Sequence, residues 1–297
     1  MSKEVAQLKE QIQELERELT LKNAEVLRYR QELAKANNQL EKMIVQVGQE
    51  LRSAQALQKF LSPTELPHIP GFEFSTKFLP GTRFGGDYFD IFEHEDKLKF
   101  GVLMACSSGY AMSALLLSVI IKVSSQIEAR KGLSPEKVIE LLAKEVVPHI
   151  QGTDSASLFY AVVDRRSYDV DFASAGDIKA YLLVQGKDAL TELKATGPAL
   201  RKDVQLSLQK GTFSMSSKDR LVVASEGVTK AVNSQGVAWG SWGLEEAMGR
   251  APKTGVHELR NEILIANERF SGKEDPLKDQ TVLVLEVKDR VIKLAKQ

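Results

Sequence analysis

The chain has 297 residues and a mass of 32.9 kDa, room for one large domain or one mid-sized domain with an extension. Forty Lys and Arg balance forty Asp and Glu, which argues against the broad basic surface that nucleic acid or anionic lipid needs. A hydrophobic fraction of 43% supplies a core and excludes wholesale disorder. The single cysteine, Cys106, excludes an internal disulfide framework and a cysteine zinc cluster, and fits a reducing compartment. The opening MSKEVAQLKEQ does not read as a signal peptide. The longest apolar run, residues 110–121, is too short to span a bilayer. These features predict a cytoplasmic protein without membrane insertion.

Before Pro63 there is no proline, and the one glycine is Gly48, so nothing breaks a helix there. With Val5 at position a, the a series runs Val5, Ile12, Leu19, Val26, Leu33, Leu40, Val47, Ala54, all apolar. The d series runs Leu8, Leu15, Lys22, Tyr29, Ala36, Met43, Glu50, Leu57, with two polar interruptions. A sustained seven-residue repeat predicts a coiled coil, and β-branched a positions with early d leucines favour a parallel dimer. In that register Glu4 faces Lys9 of the second copy, and Glu25 faces Arg30. The rod would be roughly 85 Å long at about 1.5 Å per residue. The competing reading is a long helix folded back on its own domain. From residue 43 to 60 the apolar e positions Ile44 and Leu51 widen the stripe, which predicts a contact with the domain that follows.

Beyond this segment, strand and helix signals alternate. Strands are expected at residues 73–79, 88–92 and 97–104, and helices at 115–127 and 135–147, the second with Ser134 as N-cap and Pro135 in its first turn. Further strands are expected at 157–163, 168–173, 180–184, 189–193, 203–208 and 220–224, with a hairpin around 164–167. A helix at 256–270 and an apolar strand at 281–287 complete the series. Hairpin-linked strands with helix pairs between them predict antiparallel sheets covered by helices, an α+β fold. The predicted division is residues 1–61 as a dimerising and regulatory helix, 62–290 as the domain, and 291–297 as a tail.

Generic catalytic motifs are absent: no glycine–lysine phosphate loop, no GxGxxG, no HExxH, no GxSxG. His68, His94, His149 and His257 are scattered and read as surface or helix-end residues, and Cys106 as a core thiol. Two adjacent glycines, Gly85 and Gly86, place Asp87 at the start of a strand. The order Q…L.P…P.IPG.EF…LP…GGDYFD across residues 55–90 resembles the entry to the PPM family of metal-dependent Ser/Thr phosphatases, most closely the bacterial SpoIIE/RsbU branch. Ala175–Asp177 (AGD) is similar to its AGH, residues 196–200 (TGPAL) to its TG-P-LG, residues 218–233 to its GD-LLLYTDGVTEA, and residues 278–287 to its closing DD-x-T strand.

The resemblance implies two antiparallel sheets between helical layers, with carboxylates holding two Mg²⁺ or Mn²⁺ ions that activate a water. Carried over residue by residue, the GGD aspartate is Asp87. The aspartate of D-V-S-G-H-G becomes Ala105, and that of TDG becomes Glu226. The first aspartate of DD-x-T becomes Lys278, while the second survives as Asp279. Four implied carboxylates become two carboxylates, an alanine and an ammonium, so a ligand charge of about −4 falls to about −1. The expected metal positions are thus a vestigial Asp87, Glu226 and Asp279, with no catalytic residue and no cofactor. Asp90 or Asp275 could stand in for a lost ligand, and a one-residue slip at the closing strand could bring Asp279 into the ligand position. The resemblance, with these ligands lost, implies a pseudophosphatase of phosphorylation-based signalling, and the heptad repeat predicts that it is dimeric through Val5, Leu8, Ile12, Leu15, Leu19, Val26, Leu33, Leu40 and Val47. Its partner would be a phosphoprotein, an anti-sigma antagonist or its kinase. The alternative is an active Ser/Thr phosphatase with a reduced Mn²⁺ or Mg²⁺ site.

Overall fold

The computed structural model describes residues 2–61, 66–82, 86–108, 111–187, 190–194, 197–272 and 275–288, with side chains at 2–7, 50–52, 54–61, 111–113, 115 and 130 outside the description. The chain divides into two compact units, Met1–Ser53 and Ala54–Gln297. The first is most of a single helix, α1 (Ser2–Leu61). Its seam side chains from Leu8 to Val47 are 48–63% exposed, and Lys22, which interrupts the seam, pairs within the helix with Glu25 at 3.2 Å. Val5, and most of the contact expected over residues 43–60, lie outside the described side chains. Among the described residues, no helix is long and apolar enough to cross a membrane.

Among the described residues, the second unit has ten strands. One antiparallel sheet has the order β1 (Phe72–Leu79), β10 (Gln280–Val287), β9 (Arg220–Ala224), β6 (Lys179–Leu183), β7 (Leu190–Glu192). The other has the order β2 (Asp87–Glu93), β3 (Lys99–Ser107), β4 (Ala156–Asp164), β5 (Asp169–Ala175), β8 (Gly211–Ser214). Phe74, Phe100, Phe159 and Leu285 fill the core between the sheets. The helices α2 (Ala111–Glu128) and α3 (Pro135–Val146) cover the second sheet through Leu117, Ile121, Val138 and Leu142. The helices α5 (Gly240–Arg250) and α6 (Val256–Ser271) cover the first through Leu244, Leu259 and Ile263. This layering explains the composition of β10: buried on both faces, it carries four consecutive apolar residues, Val282–Leu285, rather than an alternation. The expected architecture of two antiparallel sheets flanked by helices is the observed one.

The details depart from expectation in four places. Residues 203–208 form no strand: Leu206 and Leu208 lean against the core under α3, and the edge of β5 is taken instead by β8, whose Phe213 packs edge-on against Phe172. The helix α5 carries glycine at 240, 243 and 249, which suppresses its intrinsic helix signal; packing of Leu244, Ala247 and Met248 supplies what propensity does not. A one-turn helix, α4 (Glu226–Thr229), follows β9. Ser134 occupies the N-cap position of α3, but its hydroxyl donates to Glu136 Oε1 at 2.7 Å instead of accepting a backbone amide.

Candidate functional site

The site is built where the first strand of one sheet meets the last strand of the other. Asp87 opens β2 and stands across the ladder from Cys106, so both side chains point to the inter-sheet core. Alternation along β10 does the rest. Thr281 Oγ1 donates to Asp87 Oδ2 at 2.8 Å, which places residues 279 and 281 on the Asp87 side and residues 278 and 280 on the other.

Asp279 is 2% exposed. Its Oδ1 accepts the Gly81 amide at 2.7 Å, and its Oδ2 accepts those of Gly86 at 2.8 Å and Asp87 at 3.2 Å. The carboxylate therefore pins the loop between β1 and β2. Gly86 is also fixed by its carbonyl, which accepts from the Ser107 amide and from the hydroxyls of Ser107 and Ser118. Burial, and then the neighbouring Asp279 carboxylate, pushes the Asp87 carboxyl up to about 8. The Asp87 carboxyl is thereby held toward its protonated form. Cys106 is the core thiol expected; burial and the charges of Asp87 and Glu226 hold its pKa well above the usual thiol range.

Glu226 begins α4 from the other direction. Ser157 Oγ donates to its Oε1 at 2.6 Å, and Lys230 Nζ lies 2.7 Å from its Oε2. Lys230 also reaches Asp177 Oδ2 at 3.2 Å, and the Asp177 amide donates to Ser157 Oγ. The i,i+4 spacing of Glu226 and Lys230 is visible in the sequence. The motif that Ser225–Ala231 resembles has glutamate where this chain has Lys230. Ser157, sixty-nine positions away, has no local signal. At Gly227 a Cβ would overlap the Asp279 carbonyl oxygen, so the α4 turn and the start of β10 lie in direct contact.

The other singled-out positions fall elsewhere. Ala105 stands opposite Tyr88 on the helix-covered face of the second sheet, one residue out of phase with Asp87. Lys278 lines a cavity on the outer face of β10 that touches none of Asp87, Glu226 and Asp279. Asp90 accepts the Tyr88 hydroxyl at 3.0 Å, and Asp275 is exposed. Among the described residues, no three of His, Cys, Asp and Glu converge as a metal-binding group. Gly109 and Tyr110, at the end of the second signature, and Thr196 lie outside the described residues.

One histidine corrects the sequence reading. His94 is neither at the surface nor at a helix end but 1% exposed, with Nε2 2.8 Å from the Tyr160 hydroxyl. The residue just after β2 turns inward and stacks with Phe92 and Tyr160, a tertiary outcome that isolated spacing does not reveal. Burial lowers its pKa to about 4. His257 lies in the first turn of α6, its Nδ1 2.8 Å from Ser75 Oγ.

Comparison with known proteins follows the same outline. Residues 98–288 match the family described as Stage II sporulation protein E (SpoIIE). The phosphoserine phosphatase RsbU of Bacillus subtilis is 22% identical over 191 residues, 64% of this chain and 56% of its own length. Phosphoserine phosphatase RsbP of the same organism is 24% identical over 216 residues, 71% of this chain and 50% of its own. The chain thus spans about half the length of these relatives. The SiaA-PP2C domain of Pseudomonas aeruginosa superposes with a TM-score of 0.67 at 17% identity, covering 81% of this chain and 96% of that domain. With its ordered signatures, its two-sheet sandwich and a family match over most of its length, the chain belongs to the SpoIIE family of PPM-type phosphatase domains.

Proposed function

We propose that this chain is a signalling protein whose phosphatase-fold domain binds a phosphorylated partner without hydrolysing it. The observation that carries the reading is the engagement of the surviving acids. Both oxygens of Asp279 are used by the amides of Gly81, Gly86 and Asp87. Glu226 is shared between Ser157 and the ammonium of Lys230.

PPM-type domains normally depend on Mn²⁺ or Mg²⁺, hard cations that take six or more oxygen ligands. The residues here do not fit such a pair. Asp87 is held toward its protonated form, a lysine cation already occupies the outer oxygen of Glu226, and positions 105 and 278 supply no acid. No hydrolytic step is therefore derived, and Asp87, Glu226 and Asp279 are read as scaffold that has kept its place.

RsbU and RsbP are named as phosphoserine phosphatases. By kinship, the partner is a phosphoprotein of a switch of that kind, an anti-sigma antagonist or its kinase, in the cytoplasm. Residues 1–61 form the dimerising part and 62–290 the binding domain, followed by a short tail. An apolar stripe with side chains about half exposed from Leu8 to Val47 is stable in water when covered, and the heptad register makes a second copy its cover.

Calorimetric titration of the full chain with Mn²⁺, paired with a phosphate-release assay on phosphoserine peptides, tests the central point. No two-site binding and no release are expected; turnover that disappears in Asp87→Ala would overturn the reading. Sedimentation should give a dimer, reduced to monomer by Leu15→Glu with Leu19→Glu.

A further inference from the structure

We propose that the cavity between α6 and the β1–β10 edge is a binding site for a phosphorylated side chain of a partner protein. The proposal deepens the function above, and rests on it for the nature of the ligand. The cavity has a volume of about 280 Å³, and Lys77, Lys230, Arg260 and Lys278 contribute four cations to its lining against one acid, Glu268.

Strand geometry collects these charges. Ser75 reaches His257 of α6, so Lys77 and Leu79, two and four residues further along β1, face the same helix. Leu79 pairs with Gln280 across the ladder, and Lys278 lies two residues before Gln280 on the same face of β10. Arg260 enters from α6.

The charges differ in availability. Lys230 is committed to Glu226 and Asp177. The guanidinium of Arg260 donates to the Thr76 carbonyl at 3.0 Å and to Asn261 Oδ1, neutral acceptors that orient it, with Glu258 of the same helix as an acidic neighbour. Lys77 and Lys278 make no ion pair among the described residues. Lys77, Arg260 and Lys278 outnumber the one acid of the lining, Glu268, and this surplus suits a phosphomonoester, which carries a charge of roughly −1.5 to −2 and three strong acceptor oxygens.

The floor is rigid. Gln280 Nε2 donates to Gly227 O and Asn267 Oδ1, and Asn267 Nδ2 donates to Val228 O. The remaining wall is apolar, formed in part by Leu79, Leu264 and Ile265. That leaves room for the side chain and flanking residues that carry the phosphate. A nucleic-acid backbone or an anionic membrane would instead call for cations spread along a face. Two of the cations, Lys230 and Lys278, occupy positions that the family pattern writes as acidic, so the positive charge of this cavity belongs to this chain's own sequence.

The test is calorimetry on the full chain with a short phosphoserine peptide, its unphosphorylated counterpart and inorganic phosphate. The phosphopeptide should bind more tightly than inorganic phosphate, and the unphosphorylated peptide should not bind. Lys77→Ala with Lys278→Ala should weaken the phosphopeptide about tenfold or more, and Lys77→Gln alone by a smaller factor, with circular dichroism unchanged. Raising the salt from 50 to about 500 mM should weaken it too. Absence of phosphopeptide binding, or binding unaltered in the double variant, would overturn the proposal. Inorganic phosphate matching the phosphopeptide would also overturn it, assigning the cavity to the free ion. Phosphate released from the peptide in the presence of Mn²⁺ would refute the non-hydrolytic function instead, while loss of binding in the double variant would still support the cavity.

Discussion

The two ends of β2 bury one ionisable group each, and they resolve the burden differently. At the entry, Asp87 is an acid pushed up by burial, yet its surroundings are fully knit: Thr281 donates to it, and the neighbouring Asp279 ties down three loop amides. Beyond the exit, His94 is a base pushed down by burial, with Nε2 on Tyr160 and Nδ1 without a hydrogen-bond partner among the described residues. Desolvation disfavours charge in both cases and so moves the two pKa values in opposite directions. The difference lies in the partners. The acid end is a structural knot of carboxyls, amides and a hydroxyl, whereas the base end is an aromatic stack with one imperfectly satisfied atom.

Removing the knot should have the largest effect. Asp279→Ala leaves three amides without their charged acceptor and is expected to cost about 3 kcal/mol in chemical denaturation. A loss below about 1 kcal/mol would mean that the loop is not held from this strand.

The pH dependence separates the two ends. A histidine at about 4 in the folded chain and near 6.5 when unfolded binds its proton more readily in the unfolded state. Its stabilising contribution is therefore complete above about pH 6.5 and is lost as the pH falls toward 4. Asp87 acts with the opposite sign. Raised from 3.8 to about 8, it keeps its proton in the folded state, so its contribution is complete below about pH 4 and is lost as the pH rises through 8. Urea melts from pH 4 to 9 should show the two contributions offsetting between about pH 4 and 6.5 and stability falling from there to about pH 8, with Asp87→Asn removing the fall and leaving a rise toward pH 6.5.

A smaller effect is expected from His94→Phe, which keeps the stack on Phe92 and Tyr160 and removes the orphaned nitrogen; Tyr160 retains the Ala129 carbonyl. The change in stability at neutral pH should stay within about 1 kcal/mol, and the fall toward alkaline pH should then begin near pH 4. The smallest belongs to the far face of β10. Lys278→Ala removes a charge without an ion pair among the described residues and should shift stability by less than about 0.5 kcal/mol. By the same geometry, Lys278→Asp should not create Mn²⁺ binding, because the new carboxylate would enter the outer cavity.

Much of this was legible in the residues. The helix break at Pro63, the hairpins, the apolar closing strand and the ordered signatures each depend on local pattern, and these placed the sandwich and selected Asp87, Glu226 and Asp279. The signals that failed were those in which local and tertiary demands diverge. Alternating Leu206 and Leu208 imitate a strand while covering a helix-side core, and a glycine-rich segment becomes α5 because its leucine and methionine are needed beneath it.

What the order of amino acids determined by itself is which side chains are available: an alanine and a lysine where the motif has acids, and a heptad stripe with two polar interruptions before them. Which face each group occupies was decided by the folded chain. Alternation turns Asp279 toward the amides of a loop nearly two hundred residues away, and turns Lys278, its neighbour, outward beside Lys77 and Arg260. The physical reason is that charge is a property of a residue, whereas its partner, its burial and hence its protonation are properties of the strand register and the layer packed against it.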